Sequence, residues 1–175
     1  MEHRLASKLP NPRTISPLRY PGGKAELVRH ICPLIGRAKE LREVFAGGGS
    51  TSLMILAQAQ VERVWMNDFD INVATFWDII IHDVKGLVAK WDNYQMSQDA
   101  AMEYQRSLYP PHGTTNALPK VERAFRRLVL SQQCFSGDPQ GGVNQSLRVT
   151  NKEKITARLH AAHNLLAGKA KVTQL

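Results

Sequence analysis

Three consecutive glycines between two apolar runs restrict this chain more than any other feature. Leu41-Arg42-Glu43-Val44-Phe45-Ala46 reads as a strand, Gly47-Gly48-Gly49 breaks it, and Ser50 opens a helix through Leu53, Met54 and Leu56. A second strand at residues 61–66 ends on Asn67-Asp68 and gives way to a helix over residues 71–82, with Asp70 as its N-cap. Two strand and helix pairs in succession imply a parallel α/β sheet joined by right-handed crossovers. Glycine has no Cβ, so such a turn lets the backbone approach a ligand closely. Asp68 follows Gly47 by 21 positions, where nucleotide-binding α/β folds place an acid that accepts hydrogen bonds from ribose hydroxyls. The pair predicts an adenosine-containing ligand.

Two common ligands of this class fit poorly. A dinucleotide turn needs GxGxxG, whereas here Thr51 and Ser52 occupy the later positions. A P-loop needs a hydroxyl after its lysine, and Gly22-Gly23-Lys24-Ala25 lacks one and follows a Pro-rich lead-in. A cofactor without a pyrophosphate fits better, which points to S-adenosyl-L-methionine.

Elsewhere, residues 25–35 read as a helix with Leu27, Val28, Ile31 and Leu34 on one face. From about residue 84 the alternation stops and the chain looks helical. Val121, Phe125, Leu128 and Val129 form an apolar stripe opposite Lys120, Arg123, Arg126 and Arg127. Thr150-Asn151-Lys152-Glu153 is a capping box for a last helix, and residues 170–175 begin a strand. A sheet of two strands and a fragment is small, so the expected fold is an incomplete α/β domain.

Charge is divided along the chain. The total is +8 with a pI near 9.8, but residues 1–42, 43–105 and 106–175 carry +6, −6 and +8. Basic ends around an acidic middle suggest a phosphate-binding surface kept apart from another site. With 43% apolar and 22% charged residues the composition is that of a folded protein. No stretch approaches the roughly 20 apolar residues of a membrane span, and the opening Met1-Glu2-His3-Arg4-Leu5 does not read as a secretory signal, so a cytoplasmic setting is expected. Cys32 and Cys134 are expected to be buried free thiols, Trp65, Phe76 and Trp77 to be core, and His160 and His163 to be surface residues and not metal ligands.

Four motifs in order, Leu18-Arg19-Tyr20-Pro21-Gly22-Gly23-Lys24, Val44-Phe45-Ala46-Gly47-Gly48-Gly49-Ser50, Asn67-Asp68 and Cys134-Phe135-Ser136-Gly137, resemble those of the Dam-type, alpha-class adenine-specific DNA methyltransferases. The resemblance implies a Rossmann-like methyltransferase sheet with a helical recognition segment, S-adenosyl-L-methionine as cofactor and double-stranded DNA as partner. It implies cofactor binding by Tyr20, Gly22, Gly23, Lys24, Phe45, Ala46, Gly47, Gly48, Gly49 and Asp68, with Lys24 at the methionine or DNA side. It divides the chain into a cofactor-binding portion (1–83), a DNA target-recognition segment (84–150) and a return helix with the start of a strand (151–175). Arg123, Arg126, Arg127, Ser136, Asn144 and Arg148 become candidates for DNA contact, with Lys24.

Family members also carry an Asp-Pro-Pro-Tyr-like motif that grips the flipped adenine, and the sequence has none. Asp138-Pro139-Gln140-Gly141 offers no aromatic residue to stack on a base, and a flipped base needs stacking and edge hydrogen bonds together. The expectation is therefore a truncated form, inactive alone, with no catalytic residue of its own and with a second chain as the possible source of the missing strands. The alternatives are a DNA-binding remnant that has lost cofactor affinity and, less compatible with the glycine pattern, an oxidoreductase. The role, whether in restriction-modification, phage protection or regulation, stays open.

Overall fold

The structure is a computed structural model that describes residues 11–111, 117–144 and 151–174. Its elements run α1 (Pro12–Ile15), a 3-10 turn (Lys24–Glu26), α2 (Val28–Ile35), β1 (Ala38–Glu43), α3 (Ser50–Ala57), β2 (Val61–Asn67) and α4 (Ile71–His82). Then come α5 (Val84–Asn93), α6 (Gln98–Leu108), α7 (Lys120–Gln133), a second 3-10 turn (Phe135–Gly137), α8 (Lys152–Leu166) and β3 (Ala170–Thr173). The strands form one parallel sheet in the order β1-β2-β3, with Glu43 opposite Met66 and Met66 opposite Val172. The expected mixed α/β architecture is present, as a small three-stranded Rossmann-like sheet with helices.

Each helix follows from its residues. In α3 every residue from Ser50 to Leu56 is buried, and in α4 nine residues are, so both sit largely inside the protein, α4 keeping the edge of Asp78 and His82 toward solvent. Asp70 caps α4 as its position suggests, its carboxylate accepting from Asn72 N at 2.8 Å. The cap of α8 is Asn151, not Thr150: the Asn151 side chain accepts from Lys154 N at 2.9 Å, one residue later than the capping box predicts. Thr150 lies outside the described residues.

Three other expectations shift. β1 ends at Glu43, three residues before the predicted end, because Val44 and Phe45 leave the sheet and are 56% and 79% exposed. The helix predicted over residues 25–35 is a 3-10 turn followed by α2. Its predicted apolar face is not buried as a unit: Val28 and Cys32 face the core, whereas Leu34 is 86% exposed. Trp65 is half-buried on the outer face of the sheet and not in the core, with Arg42 at 4.7 Å and Lys171 at 3.7 Å from its ring centre.

That outer face matters. Val64 and Met66 point into the core, while Arg42, Arg63 and Lys171 stand exposed on the other side of the sheet, Arg42 and Arg63 both paired to Glu40 at 2.9 Å. Two right-handed crossovers in the same direction put their helices on one face. Among the described residues the second face is therefore a basic, solvent-facing surface, unusual for a parallel sheet.

One core joins the sheet to the helical segment. Met66, Phe76, Trp77, Leu87, Trp91, Leu128 and Leu159 are fully buried in a single cluster, and Ala101, Leu108, Leu130 and Cys134 form a smaller one under α6 and α7. Both cysteines are buried and unpaired. No described helix is long and apolar enough to cross a membrane.

Candidate functional site

Parallel sheets present ligands to the loops at the carboxyl ends of their strands. Here those ends are drawn together by Asn67, whose amide donates to the Val44 carbonyl at 3.0 Å and whose carbonyl accepts from the Thr173 hydroxyl at 2.8 Å. The glycine turn leaves β1 at this point. Gly47 and Gly49 have φ of +47° and +63°, a region costly to side-chain-bearing residues, and a Cβ on Gly49 would lie 2.5 Å from the Trp77 ring. Trp77 is also bonded to the turn, its indole N–H donating to the Gly47 carbonyl at 2.9 Å.

Asp68 is buried behind the turn. One oxygen accepts from Gly47 N at 2.7 Å and the other from Asp70 N at 3.0 Å. Residues 21 apart in sequence thus meet at one site. Each carboxylate oxygen keeps a second lone pair for a ligand. Asp70 is committed elsewhere, to Asn72 N and to the Tyr109 hydroxyl at 2.6 Å.

A strap over residues 16–24 closes the other side. Tyr20-Pro21-Gly22-Gly23 is a tight turn, with Gly23 N donating to Tyr20 O at 3.1 Å and Gly22 at φ +67°, as a type II turn with proline second and glycine third requires. The Tyr20 ring lies over Gly47, where a Cβ would come within 3.0 Å of its carbons. Burial raises the pKa of the Tyr20 phenol, and the Asp68 carboxylate adds to this while Arg127 opposes it. Exposed Lys24 folds back, its ammonium donating to Gly22 O at 2.8 Å.

Between strap and turn is a cleft of about 440 Å³ lined by residues 20–24 and 43–51, which brings together nine of the ten residues expected to hold a cofactor, with Asp68 directly behind Gly47. That volume lies within the usual range for small-ligand sites. Glu43, which sequence reasoning passed over, is part of the lining. Its carboxylate accepts from the Ser52 hydroxyl at 2.5 Å and from Ser52 N at 3.3 Å, and desolvation nevertheless raises its pKa. An acid at the end of a strand leading into a glycine turn was the available signal. Phe69, between Asp68 and Asp70, was also missed and is 79% exposed.

The candidates for DNA contact are not brought together. Arg123 and Arg127 are buried, at 7% and 0% exposure, so the expected outward basic face of α7 is corrected. Arg123 donates to Asn72 Oδ1 at 2.8 Å, because α7 packs on α4 with this edge inward. Arg126 is held against Glu122 at 2.7 Å, donates to the Ser107 hydroxyl at 2.8 Å and lies over the Tyr104 ring. Ser136 is exposed at φ +55° in the turn after α7, Asn144 is half-buried with its N–H bonded to Gln133 O, and Arg148 lies outside the described residues. The turn itself is cross-braced: Phe135 N donates to Gly142 O, and the Gln105 amide donates to the carbonyls of Pro139 and Gly141 at 2.8 and 2.9 Å. Phe135, at its tip, is 72% exposed. Asp138 closes the turn by accepting from Gln140 N at 3.0 Å.

His163 Nδ1 lies 2.8 Å from the Ile80 carbonyl, and among the described residues no three His, Cys, Asp or Glu side chains gather as a metal-ligand set. A comparison with curated proteins gives no match. A family model described as D12 class N6 adenine-specific DNA methyltransferase matches residues 20–163, from the strap tyrosine through the glycine turn and Asp68 to the last helix, and the chain belongs to that family.

Proposed function

We propose that the cleft binds S-adenosyl-L-methionine and that the chain serves N6 methylation of adenine in double-stranded DNA. The observation that carries this reading is the bond from Gly47 N to Asp68, which sets a glycine cradle and an acid with spare lone pairs side by side at the carboxyl ends of β1 and β2. The cradle is one that a Cβ would fill, and the cleft is of small-ligand size. Asp68 would accept from ribose hydroxyls, the glycine turn would hold the methionine portion, Tyr20 would close over it, and the exposed rings of Phe45 and Phe69 offer apolar surface for the adenine. The cofactor supplies a methyl group activated by a sulfonium. The chain's own residues hold that group in place, and positioning of this kind accounts for much of the acceleration in a group transfer.

On the DNA side, Lys24 would supply a cation for phosphates, Arg148 is proposed from the sequence alone for the same role, and Phe135, Ser136 and Asn144 are proposed to meet a base edge or ring at the turn after α7. Arg123 and Arg127 are withdrawn from this set because both are buried. Arg126 stays at its margin, occupied by Glu122. The sequence holds no Asp-Pro-Pro-Tyr-like motif of the kind that the family resemblance assigns to gripping and stacking the flipped adenine. We propose a second chain as a source of that motif. The uncovered basic face of the sheet offers such a partner a place to pack.

Calorimetric titration tests the reading. Saturable binding of S-adenosyl-L-methionine, weakened at least tenfold in Asp68→Asn while duplex DNA affinity stays within about twofold, is expected. A folded chain that binds DNA and no cofactor would favour the DNA-binding remnant instead.

A further inference from the structure

Arg127 stands out among the described residues. It is fully buried, and among the described residues its Nε, Nη1 and Nη2 have no hydrogen-bond partner. A guanidinium carries its charge at any physiological pH, and burying it without partners is strongly unfavourable. The Arg127 guanidinium carbon lies 5.6 Å from the centre of the Tyr20 ring, and its charge also acts on the Tyr109 phenol and the Cys134 thiol. An apolar side chain of the same length would fill the space without the penalty.

The surroundings show what the arginine joins. The strap over residues 16–24 is gripped from the recognition side by three groups. The Gln132 amide donates to Pro17 O at 3.1 Å, Gly137 is packed so closely that a Cβ would lie 2.8 Å from Arg19 O, and Arg127 sits beside Tyr20. The same strap grips the glycine turn, with the Tyr20 ring on Gly47 and Leu18 O 3.3 Å from the Cβ position of Gly48. One short segment is therefore a shared wall of the cofactor cleft and of the turn that carries Phe135 and Ser136.

We propose that Arg127 is a positioning residue that acts through Tyr20 and couples the two binding events, so that DNA on the 134–144 turn and cofactor in the cleft each strengthen the other. The inference rests on the function proposed above. A ligand on one side orders the strap, and the second ligand then meets a wall already in place, which is coupling without any direct contact between ligands. Coupling is reciprocal, so either ligand can be the one titrated.

The test is a pair of calorimetric titrations of S-adenosyl-L-methionine, with and without a saturating mixed-sequence DNA duplex, on the wild-type chain and on Arg127→Met. The wild type should bind cofactor about fivefold tighter or more with DNA present. In Arg127→Met the ratio should fall to within twofold of one, while thermal unfolding occurs at the same or a higher temperature. A purely structural arginine would lower the unfolding temperature and leave the ratio unchanged, and that result overturns the proposal. A wild-type ratio of one also overturns it. Should Arg127→Met fail to fold, the ratio in Gln132→Leu decides: near one supports the proposal, the wild-type value overturns it. If the wild type binds cofactor or DNA but not both, the function proposed above fails and the coupling with it, an outcome distinct from two ligands that bind independently.

Discussion

The indole N–H of Trp77 donates to the carbonyl of Gly47 at 2.9 Å, so a side chain from the middle of α4 holds the glycine turn from beneath. The ring also occupies the space a side chain on Gly49 would need. Trp77→Phe keeps most of the packing and leaves the Gly47 carbonyl without its donor. It should cost about 1–3 kcal/mol in urea unfolding and weaken cofactor binding beyond what stability accounts for. An unchanged affinity would mean that the turn needs no support from α4.

Glycines in the turn and away from it should respond differently. Gly49→Ala forces a Cβ to 2.5 Å from Trp77 at a positive φ, while Gly168 has a positive φ with nothing within 4 Å. Gly168→Ala should cost about 1 kcal/mol from backbone strain alone, and Gly49→Ala distinctly more because the buried tryptophan must move. Equilibrium denaturation of the two variants checks the order, and equal losses would show that Trp77 has room to shift.

Glu43 makes a prediction about pH. Desolvation, the largest influence, raises its pKa above the usual 4.5, and hydrogen bonds from Ser52 and Thr51 only partly oppose this. The folded chain therefore holds this proton to a higher pH than the unfolded chain does. Its contribution to stability is full below the unfolded pKa and declines as pH rises through the interval up to the raised folded value. Glu43→Gln should flatten the stability profile over that interval, measured by urea unfolding at a series of pH values. A wild-type profile that rises there relative to the variant would contradict the assignment.

Lys24 and Arg123 separate surface from interior. DNA affinity should fall with salt, and Lys24→Ala should reduce the slope of log K against log salt by about one. Arg123→Ala should leave the slope alone and destabilise the fold by about 1.5–3 kcal/mol, since it removes a buried charged donor from Asn72. A loss of slope in Arg123→Ala would return α7 to the DNA interface.

β2, the glycine turn and its spacing to Asp68 were readable because each rests on a local rule: apolar runs, the missing Cβ of glycine, and the spacing of a strand–turn–helix unit. β1 was read three residues too late, because Val44 and Phe45 are apolar yet leave the sheet. α4 was legible to the residue, since Asp70 and the apolar run from Ile71 mark its start. What stayed hidden was the direction in which helices face. Arg123 and Arg127 alternate with Val121, Phe125 and Leu128, so one periodic pattern serves a solvated face or an interior edge, and only the packing of α7 on α4 and the strap decides. Trp65 was misplaced for a similar reason. An aromatic residue in a parallel strand is ordinarily covered on both sides, and here the outer face meets solvent.

The central claim is that the cleft around Gly47 is the S-adenosyl-L-methionine site. Amide chemical shifts followed by NMR during titration with this cofactor test it most directly. The account predicts saturable shifts concentrated at Gly22–Lys24 and Gly47–Gly49 and at Asp68, lost in Asp68→Asn. A well-folded spectrum in which these amides stay still while cofactor is added to saturation would contradict it.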